Sequence, residues 1–368
     1  MSGLKAELVR LIQDEGPLSI SRYMGLCLGH PRHGYYMTRD PFGAQGDFTT
    51  APEISQMFGE MVGLWAASVW QAMGAPAALR LIELGPGRGT LMADVLRAAK
   101  VVPGFPAALS VHLVETSPVL REVQSRTLAG KAEPVWHDTI ASALDGPAIV
   151  LASEFLDALP LDQFVMTPQG WRERLVGLDD RGELAFGLSA SDAGLALDAP
   201  EGALFEQPAM ALDIVAGIAR HLAEFGGAGL FIDYGSVRSG FGDTLQAMKS
   251  HSFTSPLAEP GEADVTVHVD FARVGQMALR SGAATHGPAT QRDFLLRLGL
   301  AERAQALSLK ADPEQAAAIA AAFDRLIAQE KDEAGAPGMG DLFKVLAISH
   351  PRLPPLPGFN LHRLPEQV

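Results

Sequence analysis

The stretch Leu79-Arg80-Leu81-Ile82-Glu83-Leu84-Gly85-Pro86-Gly87-Arg88-Gly89-Thr90-Leu91 decides the fold. Leu81, Ile82 and Leu84 form the short apolar run expected of a central parallel strand. Thr90 opens an apolar-periodic segment through Leu91, Met92, Val95 and Leu96 that reads as a helix. Between them, Gly85, Gly87 and Gly89 let the chain turn sharply and its backbone come close to a ligand. The N–H groups of such a turn, reinforced by the helix N-terminus, suit a carboxylate or a phosphate. Glycines here can also serve packing alone, so the reading depends on what the later strand ends carry.

The spacing narrows the ligand. A dinucleotide fingerprint needs its third glycine at position 90, where Thr90 stands. What remains, Glu83-x-Gly85-x-Gly87-x-Gly89, resembles the first motif of class I S-adenosylmethionine-dependent methyltransferases.

Composition sets the outer limits. A chain of 368 residues, 47% hydrophobic and 20% charged, holds one large core with an accessory lobe, or two domains. The net charge of -14 argues against a nucleic-acid partner and for a basic or neutral one. A single cysteine, Cys27, excludes an intrachain disulfide and a cysteine metal cluster, which makes a reducing cytoplasm the expected location. Leu4 to Ile12 reads as an amphipathic helix with acidic residues, neither a signal peptide nor an Arg-rich presequence. No apolar run approaches the roughly 20 residues that span a bilayer.

Along the chain, residues 1–30 read as two short helices broken at Gly16-Pro17. His30 and His33 lack a third ligand nearby and read as turn residues, so no metal is expected. Residues 34–50 form a loop rich in glycine and aromatics, with Asp47, Phe48 and Thr49 as functional candidates at its mouth; Asp47 can also merely stabilise a turn. Thr50-Ala51-Pro52-Glu53 reads as a capping box. The helix after it carries Ile54, Met57, Phe58, Met61, Trp65 and Val69 on a core face.

A regular α/β alternation follows the glycine turn. A second strand, Leu109 to Val114, ends in Glu115, where a carboxylate can accept from both hydroxyls of a ribose or cap the next helix. A third, near Val135, ends at His137-Asp138-Thr139, with Asp138 placed to accept from an adenine amino group. A fourth, Ala148 to Ala152, delivers Glu154 and Asp157, which can grip a guanidinium by charge-assisted hydrogen bonds. Asp157 as a helix cap is the plainer alternative. Residues 161–205 change texture to antiparallel hairpins, with 189–203 as surface loop. After a helix over 208–224, a fifth strand, Gly229 to Gly235, brings out Asp233 and Tyr234. Asp264, His268 and Asp270 read as a polar substrate wall. Ala283 to His286 reads as a short sixth strand, and Leu342 to Ile348 as a late, antiparallel seventh.

Taken together, Gly46-Asp47-Phe48-Thr49-Thr50 with Phe58-Gly59-Glu60, Glu83 to Thr90, Glu154-Phe155-x-Asp157-Ala158-Leu159-Pro160, Asp233-Tyr234-Gly235 and Pro260-Gly261-x-Ala263-Asp264-x-Thr266 closely resemble the MidA family, from about Gly34 to Lys344. Ser153 departs from the family, which generally has asparagine there. The resemblance implies a class I methyltransferase fold: a Rossmann-like seven-stranded sheet with an N-terminal helical extension and an inserted β/α accessory region. It implies S-adenosyl-L-methionine as cofactor and arginine N-methylation of a protein, a respiratory complex I subunit or a related one, in support of assembly. Expected cofactor residues are Glu83, Gly85, Gly87, Gly89, Glu115, Asp138, Thr139 and Asp47. Glu154, Asp157 and Asp233 are the expected catalytic acids, and Phe48, Tyr234, Asp264 and His268 the expected substrate contacts. The organisation expected is residues 1–75 extension and active-site loop, 76–160 cofactor half, 161–225 insertion, 226–350 remaining core and 351–368 tail. A small-molecule methyltransferase and a non-catalytic assembly chaperone are the competing functions.

Overall fold

A computed structural model describes residues 3–41, 50–329 and 338–359. Its centre is a seven-stranded sheet: β1 (Leu79–Leu84), β2 (Leu109–Val114), β3 (Val135–His137), β4 (Ala148–Ser153), β5 (Gly227–Ser236), β6 (Ala284–Thr290) and β7 (Phe343–Ser349). In space they run β3-β2-β1-β4-β5-β7-β6. The first five are mutually parallel, and β7 enters antiparallel between β5 and β6. β1 and β4 are apolar on both faces because helices cover both sides, which is why these strands lack an alternating pattern. One core, around Trp65, Leu81, Val95, Ile149 and Val345, fills one face of the sheet. A second, around Ile82, Val150, Val215, Phe231 and Val274, fills the other.

The strand order reverses at β1 and β4, so the carboxyl ends of those two strands open a crevice. The helix Gln56–Ala72 lies against the helix Thr90–Ala99 that follows the glycine turn. Gly59 makes that contact possible, since a Cβ there would meet Asp94 Cβ at 2.5 Å. Next to it, buried Glu60 is held by Arg303 at 2.7 Å and Arg97 at 3.2 Å, which ties the late helix Leu300–Ser308 to the early one.

A third core lies away from the main sheet. The helices Gly3–Glu15 and Ile20–Gly29 bury Leu4, Leu8, Ile12, Tyr23 and Met24 against Leu161, Val176, Val265 and Val267. The hairpin strands Asp162–Thr167, Gly170–Leu178, Leu184–Asp192 and Leu204–Gln207 form a second sheet, and Leu18–Ser19 adds to its edge. Gln246–Lys249, Ser252–Thr254 and Asp264–Thr266 make a small third sheet.

Several local expectations need correction. Thr50 makes no side-chain cap and no capping box forms; a one-turn helix, Ala51–Ile54, ends first, and Ser55 caps the long helix by accepting from the Met57 N–H. Glu53 is instead drawn to the glycine turn, where it accepts a hydrogen bond from the Thr90 hydroxyl. The hairpin strand continues to Asp192, so the loop begins later than composition indicated. The helix Leu300–Ser308 lies where the sequence pattern marks no element: Gly299, at φ +95°, ends the helix Gln291–Arg297 and at once opens the next without a side-chain cap to announce it.

Candidate active site

Glu83 ends β1 in the interior, 3% exposed. One carboxylate oxygen accepts from the Met92 N–H while Oε2 has no hydrogen-bond partner, and burial pushes its pKa from 4.5 up to about 8. Gly85, Gly87 and Gly89 then turn through φ of +57°, +51° and +80°, a region that side chains disfavour. At Gly85 the Phe155 ring also leaves no room, 2.9 Å from where a Cβ would stand. The turn walls a cavity of about 40 Å³ whose other sides include Thr50, Glu53, Ser153 and Glu154. Ser153 Oγ, like Glu83 Oε2, is buried there without a partner. The rim is latched by Arg88, which reaches Asp40 at 3.2 Å and Glu53 at 3.6 Å.

At the end of β2, Glu115 is buried and accepts from the Ser117 N–H at 2.8 Å and Gln124 Nε2 at 3.2 Å. Burial raises its pKa, and the N–H of Ser117 followed by Gln124 opposes the shift. Asp138, past β3, is exposed and paired with Arg121 at 2.6 Å. Arg121 also donates to the Glu115 carbonyl at 2.8 Å, so one guanidinium joins the two strand ends. The sequence reading missed Arg121; its place one turn into the helix after β2 was the available signal. Thr139 is exposed, and its hydroxyl donates to Ser142 at 3.3 Å.

At the end of β4 the backbone turns through Glu154, a non-glycine residue at φ +52°. A strained conformation of this kind persists only where its surroundings fix it. Asp233 does so: 1% exposed at the end of β5, its Oδ2 accepts from the N–H groups of Phe155 (3.2 Å), Leu156 (2.9 Å) and Asp157 (3.2 Å). Its other oxygen accepts from the Tyr234 N–H at 3.0 Å. Burial, then the charges of Asp157 and Glu154, drive its pKa well up, against the pull of those N–H donors. Glu154 Oε1 accepts from the Ala51 N–H at 3.1 Å, and burial followed by the charge of Asp157 raises its pKa to about 8. Asp157 is 5% exposed; burial raises its pKa to about 6, against a hydrogen bond from the Tyr234 hydroxyl, and its Oδ1 has no partner. Among the described residues no cation pairs with Glu154, Asp157 or Asp233.

Asp264 accepts a hydrogen bond from the Tyr36 hydroxyl at 2.8 Å. The His268 ring meets Tyr234 edge-on at 5.3 Å and lines a separate cavity of about 200 Å³ beyond Leu156. Tyr234 thus touches both His268 and Asp157. Asp47 and Phe48 lie outside the described residues. Among the described residues no group of three or more His, Cys, Asp or Glu is placed to hold a metal. His30 and His33 stack on each other and face Glu7 instead.

This sheet order with an antiparallel penultimate strand, a glycine turn after β1 and acids at the ends of β1, β2 and β4 define a class I S-adenosylmethionine-dependent methyltransferase. Residues 61–289 match the family model for S-adenosyl-L-methionine-dependent methyltransferases. A Burkholderia thailandensis protein crystallised with S-adenosyl-homocysteine superposes with a TM-score of 0.82 at 30% identity, covering 98% of this chain and 95% of that one. Protein arginine methyltransferase NDUFAF7, mitochondrial, is 38% identical in Danio rerio, over 90% of this chain and 83% of the relative. The Homo sapiens protein of that name is 34% identical over 94% and 83%. The chain belongs to the MidA family of S-adenosylmethionine-dependent methyltransferases. The expected cytoplasmic location does not stand, because these relatives are named as mitochondrial proteins. One buried cysteine is compatible with any reducing compartment, so it never distinguished between them.

S-adenosylmethionine is the cofactor of this fold, and the residues fit it. The two orphaned buried oxygens, Glu83 Oε2 and Ser153 Oγ, belong to residues that line the crevice where a cationic, donor-bearing amino-acid end is needed, and Gly85 and Gly87 line it beside them.

Proposed function

We propose that this enzyme N-methylates arginine in a protein, a respiratory complex I subunit or a related one, in support of assembly. The observation that carries the reading is the group Glu154, Asp157 and Asp233: three carboxylates at neighbouring strand ends, Asp157 and Asp233 buried and Glu154 half-buried, with no cation beside them among the described residues. Buried charge of one sign is costly unless a partner arrives, and a guanidinium supplies both the charge and a fork of N–H donors. The acidic net charge of -14 also suits a basic substrate. The names of the relatives, protein arginine methyltransferases at 34–38% identity, support the same choice.

Glu83 and Ser153 would hold the amino-acid end of the cofactor over the glycine turn, Glu115 the ribose, and Asp138 with Thr139 the adenine edge. Bound there, S-adenosylmethionine supplies an electrophilic sulfonium methyl. Glu154 and Asp157 would clamp the guanidinium and aim one nitrogen at the cofactor side of the crevice; holding it in line is the main source of rate. The attacking nitrogen loses a proton as the N–C bond forms; Glu154, whose proton the arriving guanidinium displaces by lowering its raised pKa, would take it as a carboxylate. Asp233 is a positioning residue in this scheme, since its oxygens are spent on backbone N–H groups.

Methyl-labelled S-adenosylmethionine and a respiratory-membrane extract test the proposal. Label should appear in methylarginine after acid hydrolysis of the protein fraction. Glu154→Gln should lower incorporation at least 100-fold and leave S-adenosylhomocysteine affinity within about threefold. Label confined to the low-mass fraction would overturn it.

A further inference from the structure

We propose that the cavity of about 200 Å³ behind the acid turn is a second binding site, one for a small carboxylate with a ring-sized apolar body. The site stands whether or not the methyl acceptor is an arginine.

The cavity lies where the inserted hairpins meet the end of β5, and its apolar wall is Leu156, Leu161, Val267, Val269 and Val274. Two of these are tied to the acids. The Leu156 N–H donates to Asp233 Oδ2 at 2.9 Å, and the Val267 N–H donates to the Asp157 carbonyl at 3.0 Å. An occupant therefore packs against the back of the acid turn, outside the crevice that the glycines line. A dry cavity of about 150 Å³ lined by such side chains accepts benzene, so a ring with a short tail has room here. Phe241, exposed at the open side and packed against Trp171 at 6.0 Å, adds an aromatic surface.

The polar part of the lining selects an anion. Glu206 accepts from the Thr244 N–H at 3.0 Å, the Thr244 hydroxyl at 2.7 Å and Gln163 Nε2 at 2.8 Å. Asp270 accepts from the Ser239 hydroxyl at 3.0 Å and pairs with Arg273 at 3.1 Å. Both acids of the lining are thus spent on neighbours. Arg238, exposed at the open side, has no carboxylate partner among the described residues, and the His268 ring nitrogens have no hydrogen-bond partner among them. Burial, then the charge of Lys344, lowers the His268 pKa, so at pH 7 its imidazole is neutral and has one N–H to donate. A carboxylate can take the guanidinium fork on one side and that N–H on the other. An amine would meet like charge at Arg238.

The test uses the full chain saturated with S-adenosylhomocysteine and two probes of one shape, 3-phenylpropionate and its uncharged amide, titrated by calorimetry. The acid should bind about 10-fold more tightly than the amide, the worth of a charge-assisted hydrogen bond. In Arg238→Gln the acid should fall to the level of the amide, with the amide changed less than twofold and S-adenosylhomocysteine affinity unaltered. In proton NMR of the wild type the acid should move the His268 Cε1–H resonance, identified by its loss in His268→Gln. Equal affinity for acid and amide overturns the inference, as does acid binding that Arg238→Gln leaves unchanged or that leaves the His268 resonance in place. Failure of the wild type to bind the acid overturns it outright and leaves the arginine reading untouched.

Discussion

Glu83→Gln separates the cost of a buried acid from its use. The folded protein holds the Glu83 proton up to about pH 8, against an ordinary 4.5 for the unfolded chain. The folded state therefore binds the proton more tightly than the unfolded one. The linked stability is fully present below 4.5, declines as pH rises and is gone above about 8. Across that interval of three and a half pH units, at about 1.36 kcal/mol each, the loss is about 5 kcal/mol. Chemical unfolding of cofactor-free protein at pH 5 and pH 9 should show Glu83→Gln losing several kcal/mol less than the wild type. At pH 7 the acid is about 90% protonated, and an ammonium placed beside Oε2 would pull that proton off. Calorimetry in phosphate and Tris should then show S-adenosylmethionine releasing close to one proton from the wild type and less from Glu83→Gln. Affinity in the variant should drop by about 10- to 100-fold, the worth of a charge-assisted hydrogen bond. Identical pH-stability curves for the two proteins would refute the burial argument, and identical proton release would refute the contact with the cofactor.

Two further substitutions probe the scaffold. Asp233→Asn turns an acceptor of four backbone N–H groups into one that must also present N–H, so it should cost about 2–4 kcal/mol by denaturant unfolding. The same variant should lower kcat more than 10-fold as the Glu154 turn relaxes, while S-adenosylhomocysteine still binds. Gly59→Ala drives a methyl into Asp94 Cβ, 2.5 Å away, and should lower stability by about 1–3 kcal/mol without changing KM for the cofactor.

The central sheet was legible because its strands are short apolar runs that end in glycine or an acid, and Leu81, Ile82, Val150 and Leu151 can hardly do anything else. The antiparallel direction of β7 followed from its late position in the chain. The capping box failed because Thr50-Ala51-Pro52-Glu53 fits the local pattern equally well when Glu53 has a distant attraction, here Thr90 and Arg88. Asp233 looked like any other acid at a strand end; only three backbone N–H groups converging on one oxygen reveal that it holds the turn. Arg121 was invisible for a related reason: it matters through Asp138, 17 residues on, and no spacing rule connects the two.

The third core imposes an order on biogenesis. Leu18 pairs with Val176, and Val265 and Val267 complete the same core, so the apolar stripe of Leu4, Leu8 and Ile12 has no full cover until residue 267 leaves the ribosome. At about 5–20 residues per second that wait lasts roughly 13 to 50 s. Throughout it a nascent amphipathic helix is open to holdase chaperones, and translation rate over most of the message becomes a determinant of yield.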